Sequence, residues 1–130
     1  MIMNEKAGKM RKIISIMEKN KTIRLLHVKH ARTFGERFKG LLGVSPREHD
    51  YALVFHMAEE SALGASIHML FMQMPIDVLW LNEKKEVVDF AALKPWTFNY
   101  TPAKPAKYVV ELPARTLNWK IKIGMKLTWA

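Results

Sequence analysis

One stretch limits the possible architectures more than any other: IHMLFMQMPIDVLWLN, from Ile67 to Asn82. It is the longest apolar run in the chain, yet Gln73, Pro75 and Asp77 interrupt it before it reaches the roughly 18 residues that would cross a bilayer as a helix. Proline cannot donate to a sheet ladder and sits at strand starts or bulges. Pro75 therefore divides the stretch into two expected strands, Ile67–Phe71 and Ile76–Leu81. The charged turn Asn82–Glu86 (NEKKE) then leads into a returning strand, Val87–Ala92, which makes a hairpin with a polar tip. Strand alternation places Asp77 on one face with Leu79 and Leu81, opposite Ile76, Val78 and Trp80.

The rest of the chain packs around this stretch. Met10, Ile13, Ile14 and Met17 recur at helical spacing, so a short amphipathic helix is one reading of a peripheral segment, residues 1–20. Thr22–Lys29 is rich in β-formers and reads as a strand. Thr33 followed by Glu36 is a capping box, and Phe34, Phe38, Leu41 and Leu42 form an apolar helical stripe that Gly43 is placed to stop. Ala52–Met57, Lys107–Leu112 and Met125–Trp129 read as further strands, and Pro113–Lys120 as a second short helix. Six or more short strands against one main helix predict an α+β fold. It is expected as a single domain, residues 21–130, with a mostly antiparallel, barrel-like sheet.

Composition narrows the chemistry. The 130 residues contain no cysteine, which removes disulfides, thiolate metal sites and cysteine nucleophiles. The net charge of +9 is concentrated at the start: residues 1–40 carry 11 basic and 3 acidic side chains, net +8. A basic end is either a phosphate-binding footprint or a solvated surface. The apolar piece Ile13–Met17 is shorter than a signal-peptide core, so a cytoplasmic protein is expected. There is no phosphate loop, GxGxxG, HExxH or GxSxG. His56, Met57, His68, Met69, Met72 and Met74 suggest soft-metal ligands. On a regular strand, however, His68 and Met72 would lie about 13 Å apart. Core packing is therefore the expected role of the methionines, with no metal and no cofactor. Trp96, Phe98 and Tyr100 alternate among Lys94, Lys104 and Lys107, a pattern compatible with base stacking but supported by no RNA- or DNA-binding signature.

Asp77 is the lone acid in an apolar strand, and a buried carboxylate needs donors or a cation. Arg37 is one candidate partner; the favoured reading is a structural ion pair or a carboxylate accepting backbone N–H groups, and the other is a polar anchor in a ligand pocket. Arg37, His68 and Asp77 are accordingly the candidate ligand-binding residues, with no catalytic residue assigned.

Taken together, ARTFGERFKGLLG, IHMLFMQMPIDVLWLN, VVDFAALKPW and AKYVVELPA resemble the domain-of-unknown-function 192 family, also labelled uncharacterised protein family 0127. Ala31, Thr33, Glu36, Arg37, Gly40, Leu41 and Gly43 match the family's first motif, and Met69, Pro75 and Asp77 its central one. His68 and Phe71 depart from the bacterial form in the manner of the archaeal branch. The resemblance implies a compact barrel-like fold and no established activity, cofactor or catalytic residue. The leading expectation is a non-catalytic module that binds a small molecule or protein partner, with no membrane association. The alternatives are an enzyme acting on a small polar substrate through Asp77 or His68, and an RNA-associated protein using the basic N-terminal third.

Overall fold

Seven strands joined in one sheet make up most of the chain in the computed structural model, which describes residues 13–18, 21–117 and 120–129. In chain order these are β1 (Ile13–Glu18), β2 (Lys21–Ala31), β3 (Ala52–Ser61), β4 (Ile76–Leu81), β5 (Val87–Leu93), β6 (Ala106–Pro113) and β7 (Lys126–Thr128). Their spatial order is β5-β4-β6-β3-β2-β1-β7. Every neighbouring pair is antiparallel except β2 and β3, whose parallel pairing requires a crossover. That crossover carries α1 (Phe34–Lys39).

The sheet is curled into a half-barrel. Its two edges approach at one end, where the Val87 N–H donates to the Met125 carbonyl at 2.8 Å and the Leu127 N–H to the Lys85 carbonyl at 2.9 Å. Curling leaves the sheet with two apolar faces to cover. Ile76, Val78 and Trp80 of β4 join Phe55, Met69, Met72, Met74 and Val109 in one core. Leu79 and Leu81 join Ile14, Val54, Val110, Leu112 and Leu127 in the other. All six residues of β4 are buried, because β5 and β6 flank it and a core lies on each side.

The expected hairpin forms, with Ile76 opposite Leu93 and Leu79 opposite Phe90. Three expectations require correction. Ile67–Phe71 is a loop, not a strand: only Ile67 makes a ladder bridge, to Tyr100, and Phe71 turns the chain in a left-handed conformation at φ 65°. Burial of Met69, Met72 and Met74 holds this loop over the first core. Secondly, Ile13–Glu18 is a sheet strand with Ile14 and Ile16 buried, not part of a helix. Its β-branched isoleucines suit a strand, and β2 and β7 satisfy its backbone on both sides. Residues 1–12 lie outside the described residues. Thirdly, helix content is much lower than an α+β domain with a main helix implies. Among the described residues the only α-helix is α1, six residues long, because Gly40 at φ 47° ends it three residues before Gly43. The second expected helix is replaced over 113–117 by a turn in which the Thr116 N–H donates to the Pro113 carbonyl. Residues 118–119 lie outside the described residues.

Candidate ligand-binding cavity

The site begins with the capping box. The Thr33 hydroxyl accepts from the Glu36 N–H at 3.1 Å, and the Glu36 carboxylate accepts from the N–H groups of Thr33 and Arg32 at 3.0 and 2.8 Å. The backbone N–H of Thr33, then that of Arg32, holds the Glu36 carboxyl below its ordinary pKa. So short a helix has little stability of its own, and this box fixes where it starts and which way Arg37 leaves it. The Arg37 guanidinium donates from Nη1 to the carbonyls of Arg32 (2.6 Å) and His56 (3.3 Å). Gly40 then lets the chain pass close to β3: a Cβ there would lie 3.1 Å from the Phe55 ring.

β3 leaves β6 just beyond this point. The β3–β6 ladder runs from Leu53–Glu111 to His56–Tyr108, breaks, and resumes only at Ser61–Ala106. The bulge opens a cleft of about 530 Å³ lined by Met57, Ala58, Ala65, Ile67 and Val109. Beside it, a cavity of about 130 Å³ lies between the end of α1, the loop over residues 66–72 and Glu111. Arg37, Phe55, Ser66 and Ile67 border both spaces.

Glu111 lines the smaller space. It is 6% exposed, flanked in the sheet by Leu53 and Val78. Burial alone pushes its carboxyl up to about 8; no hydrogen-bond donor or cation among the described residues offsets it. The group is therefore uncharged at neutral pH and can donate an O–H. The nearby His49 is also buried, edge-on to Tyr51 with centroids 5.2 Å apart, and desolvation lowers its pKa.

Of the three residues singled out in the sequence, Arg37 and His68 line this cavity, His68 at its exposed rim. Asp77 does not. It is 3% exposed, and its Oδ2 accepts from the Leu117 N–H at 3.1 Å. Asp77 thus accepts a backbone N–H, the other reading of a buried carboxylate, rather than pairing with Arg37, for a reason that strand alternation supplies. Asp77 shares its face with Leu79 and Leu81 of the second core, whereas the cavity opens on the face of Phe55 and Met69, in the first. Asp77→Asn and Arg37→Leu should therefore be additive within about 0.5 kcal/mol in a denaturant double-mutant cycle. A coupling well above about 1 kcal/mol would restore the direct contact.

Glu111 was legible only as part of the strand KYVVEL, although it bears the same mark as Asp77, an acid among apolar strand neighbours. The histidines also fall apart spatially. His56 Nε2 lies 2.8 Å from His30 Nδ1. Desolvation first, then the Arg32 charge, lowers the His56 pKa to about 4. Among the described residues, no three His, Asp or Glu side chains converge as a metal site would require. None of the described helices is long and apolar enough to cross a membrane.

A half-barrel sheet with a carboxyl-lined cavity where its helix meets a bulged strand defines a class of small β-rich, single-domain proteins with a ligand-sized cleft. The chain belongs to the DUF192 family, "Uncharacterized ACR, COG1430", whose model matches residues 15–129. It is 45% identical to a UPF0127 protein of Pyrococcus furiosus over 112 residues, 85% of this chain and 92% of that one. It is 44% identical to a UPF0127 protein of Thermococcus sibiricus over 103 residues, 78% of this chain but only 65% of that one. The fold is similar to the crystal structure of a protein of unknown function from Novosphingobium aromaticivorans. The TM-score there is 0.77 at 21% identity, covering 90% of this chain and 84% of that one.

Proposed function

We propose that this chain is a small-molecule-binding module whose site is the cavity of Arg37, His68 and Glu111 together with the adjoining cleft. One observation carries the reading: Glu111, an acid in an apolar strand setting, lines the cavity, and among the described residues no donor or cation offsets the upward push of burial on its carboxyl. A strand position flanked by Leu53 and Val78 would otherwise favour an apolar side chain. A ligand atom in the cavity would complete its hydrogen bonding. The cleft volume of about 530 Å³ lies in the range of small-ligand sites, and its walls are mostly apolar with few polar groups.

The enzyme alternative rests on the same residue. A carboxyl with a pKa near 8 is suited to general-acid chemistry, but the cavity supplies no second group shown to be poised as nucleophile or base. Asp77, the acid first considered for that role, is committed to the Leu117 N–H on the other face. The RNA-associated alternative draws on the basic N-terminal third, most of whose first 20 residues lie outside the described structure.

A small-fragment screen on the isotopically labelled full chain tests the proposal. Binders should shift the amide resonances of Gly40 and Ile67–Met69 together. Failure of a few hundred chemically diverse fragments to perturb that set would remove the binding reading.

A further inference from the structure

The chemistry of the two spaces is asymmetric, and the asymmetry selects a ligand class. The smaller space is polar at two points. Arg37 commits two hydrogen bonds, both from Nη1, to the carbonyls of Arg32 and His56. A guanidinium carries five N–H donors, and three of them have no bond among the described residues. Glu111 offers one acidic O–H while protonated. Lys39 and His68 add basic groups to the lining. The larger space is apolar over Phe55, Met57, Ile67 and Val109, and its one carboxylate is the exposed Glu59.

We infer, on the reading of the chain as a binding module, that the site takes a small monocarboxylate. Its carboxylate is held between the Arg37 guanidinium and the Glu111 carboxyl, and its apolar body lies along Ile67 and Val109. The planar guanidinium matches a carboxylate better than a point cation does. One ligand oxygen accepts from Arg37 and the other from the Glu111 O–H, so the acid gains a partner that none of the described residues supplies. A neutral head group would gain less from Arg37. A dicarboxylate would bring its second charge along the cleft toward Glu59.

The arrangement makes binding pH-dependent. The charged or titratable groups around Glu111 are Arg37 and Lys39 from α1, His68 from the covering loop, and His49 and Tyr51 from the segment before β3. None of the described cations lowers the Glu111 carboxyl, which ionises at about 8. Above that pH the acid loses its donor proton and repels the incoming anion. From the fraction of Glu111 protonated, affinity should fall about tenfold between about pH 7 and pH 9.

The test titrates the full chain with hexanoate, hexanamide and inorganic phosphate at these two pH values, followed by the Ile67 and Val109 side-chain methyl resonances. Hexanoate should bind at least about tenfold tighter than hexanamide, weaken about tenfold at the higher pH, and lose most of its affinity in Arg37→Leu. In Glu111→Gln, whose amide still donates but does not titrate, hexanoate affinity should no longer change with pH. Equal binding of hexanoate and hexanamide would overturn the carboxylate class and leave the binding-module reading standing. Phosphate displacing hexanoate with higher affinity would point to a simple oxyanion site and also overturn it. If neither hexanoate nor hexanamide binds while other fragments shift the cavity resonances, the class alone fails; if nothing does, both readings fail. Should Glu111→Gln not fold, the wild-type pH dependence decides, since pH-independent hexanoate binding contradicts the Glu111 contact.

Discussion

Trp80→Ala is expected to lower stability by about 3–5 kcal/mol, the usual cost of removing a large aromatic from a closed core. Trp80 is 0% exposed, on β4 between β5 and β6. Its indole stacks on Tyr100 with centroids 4.9 Å apart, and its N–H donates to the Ala65 carbonyl at 2.8 Å. Ala65 belongs to the cleft wall, so the truncation both empties the core and releases the segment that encloses the site. Trp80→Phe should cost less, since most of the volume stays and the hydrogen bond goes. Urea unfolding gives the free energies. Hydrogen exchange should show faster opening at residues 65–69 in both variants, with the larger change in alanine. A cost below about 1 kcal/mol for Trp80→Ala would mean that the core can collapse around the gap.

Glu111 supplies the second large effect, in the pH dependence of stability. Its carboxyl ionises near 4.5 in an unperturbed setting and at about 8 in the fold. Below the lower value both states hold the proton, and the group adds no pH dependence to stability. Between the two values the unfolded chain releases its proton and the folded one keeps it, so stability falls as pH rises, by about 1.4 kcal/mol per unit. Above the higher value the full penalty is present, on the order of 5 kcal/mol across that interval. Glu111→Gln has no such proton to lose. The stability of the wild type minus that of Glu111→Gln should therefore decline steadily from pH 4.5 to 8 and then level off. A flat difference in urea melts over that range would show that the carboxyl ionises normally in the fold.

Much of this architecture can be read from local chemistry. Pro75, the polar NEKKE turn and the alternation of Ile76–Leu81 define a hairpin that forms as expected. The Thr33–Glu36 box marks the helix start to the residue. What escaped depends on tertiary position. The loop at 67–74 has the composition of a strand, but its methionines are drawn inward while Phe71 turns the chain, and no local rule requires that turn. Residues 13–17 show helical spacing, yet two neighbouring strands capture them. The site was half legible. Arg37 stood out beside Glu36, and His68 by its setting among methionines. Asp77 interrupts the longest apolar run and so draws notice, whereas Glu111 sits in the short strand KYVVEL. Which of two acids in apolar strands faces a cavity depends on which face the loop at 66–72 covers, and that is a property of the assembled sheet.

Glu111 is expected to hold its proton at neutral pH, in a cavity where no donor or cation among the described residues offsets its burial. A carbon-13 NMR titration of the Glu111 side-chain carboxyl, assigned by comparison with Glu111→Gln, measures this directly. The account predicts a midpoint near 8. A midpoint near the ordinary 4.5 would place a charged carboxylate in the cavity at neutral pH and contradict the site drawn here.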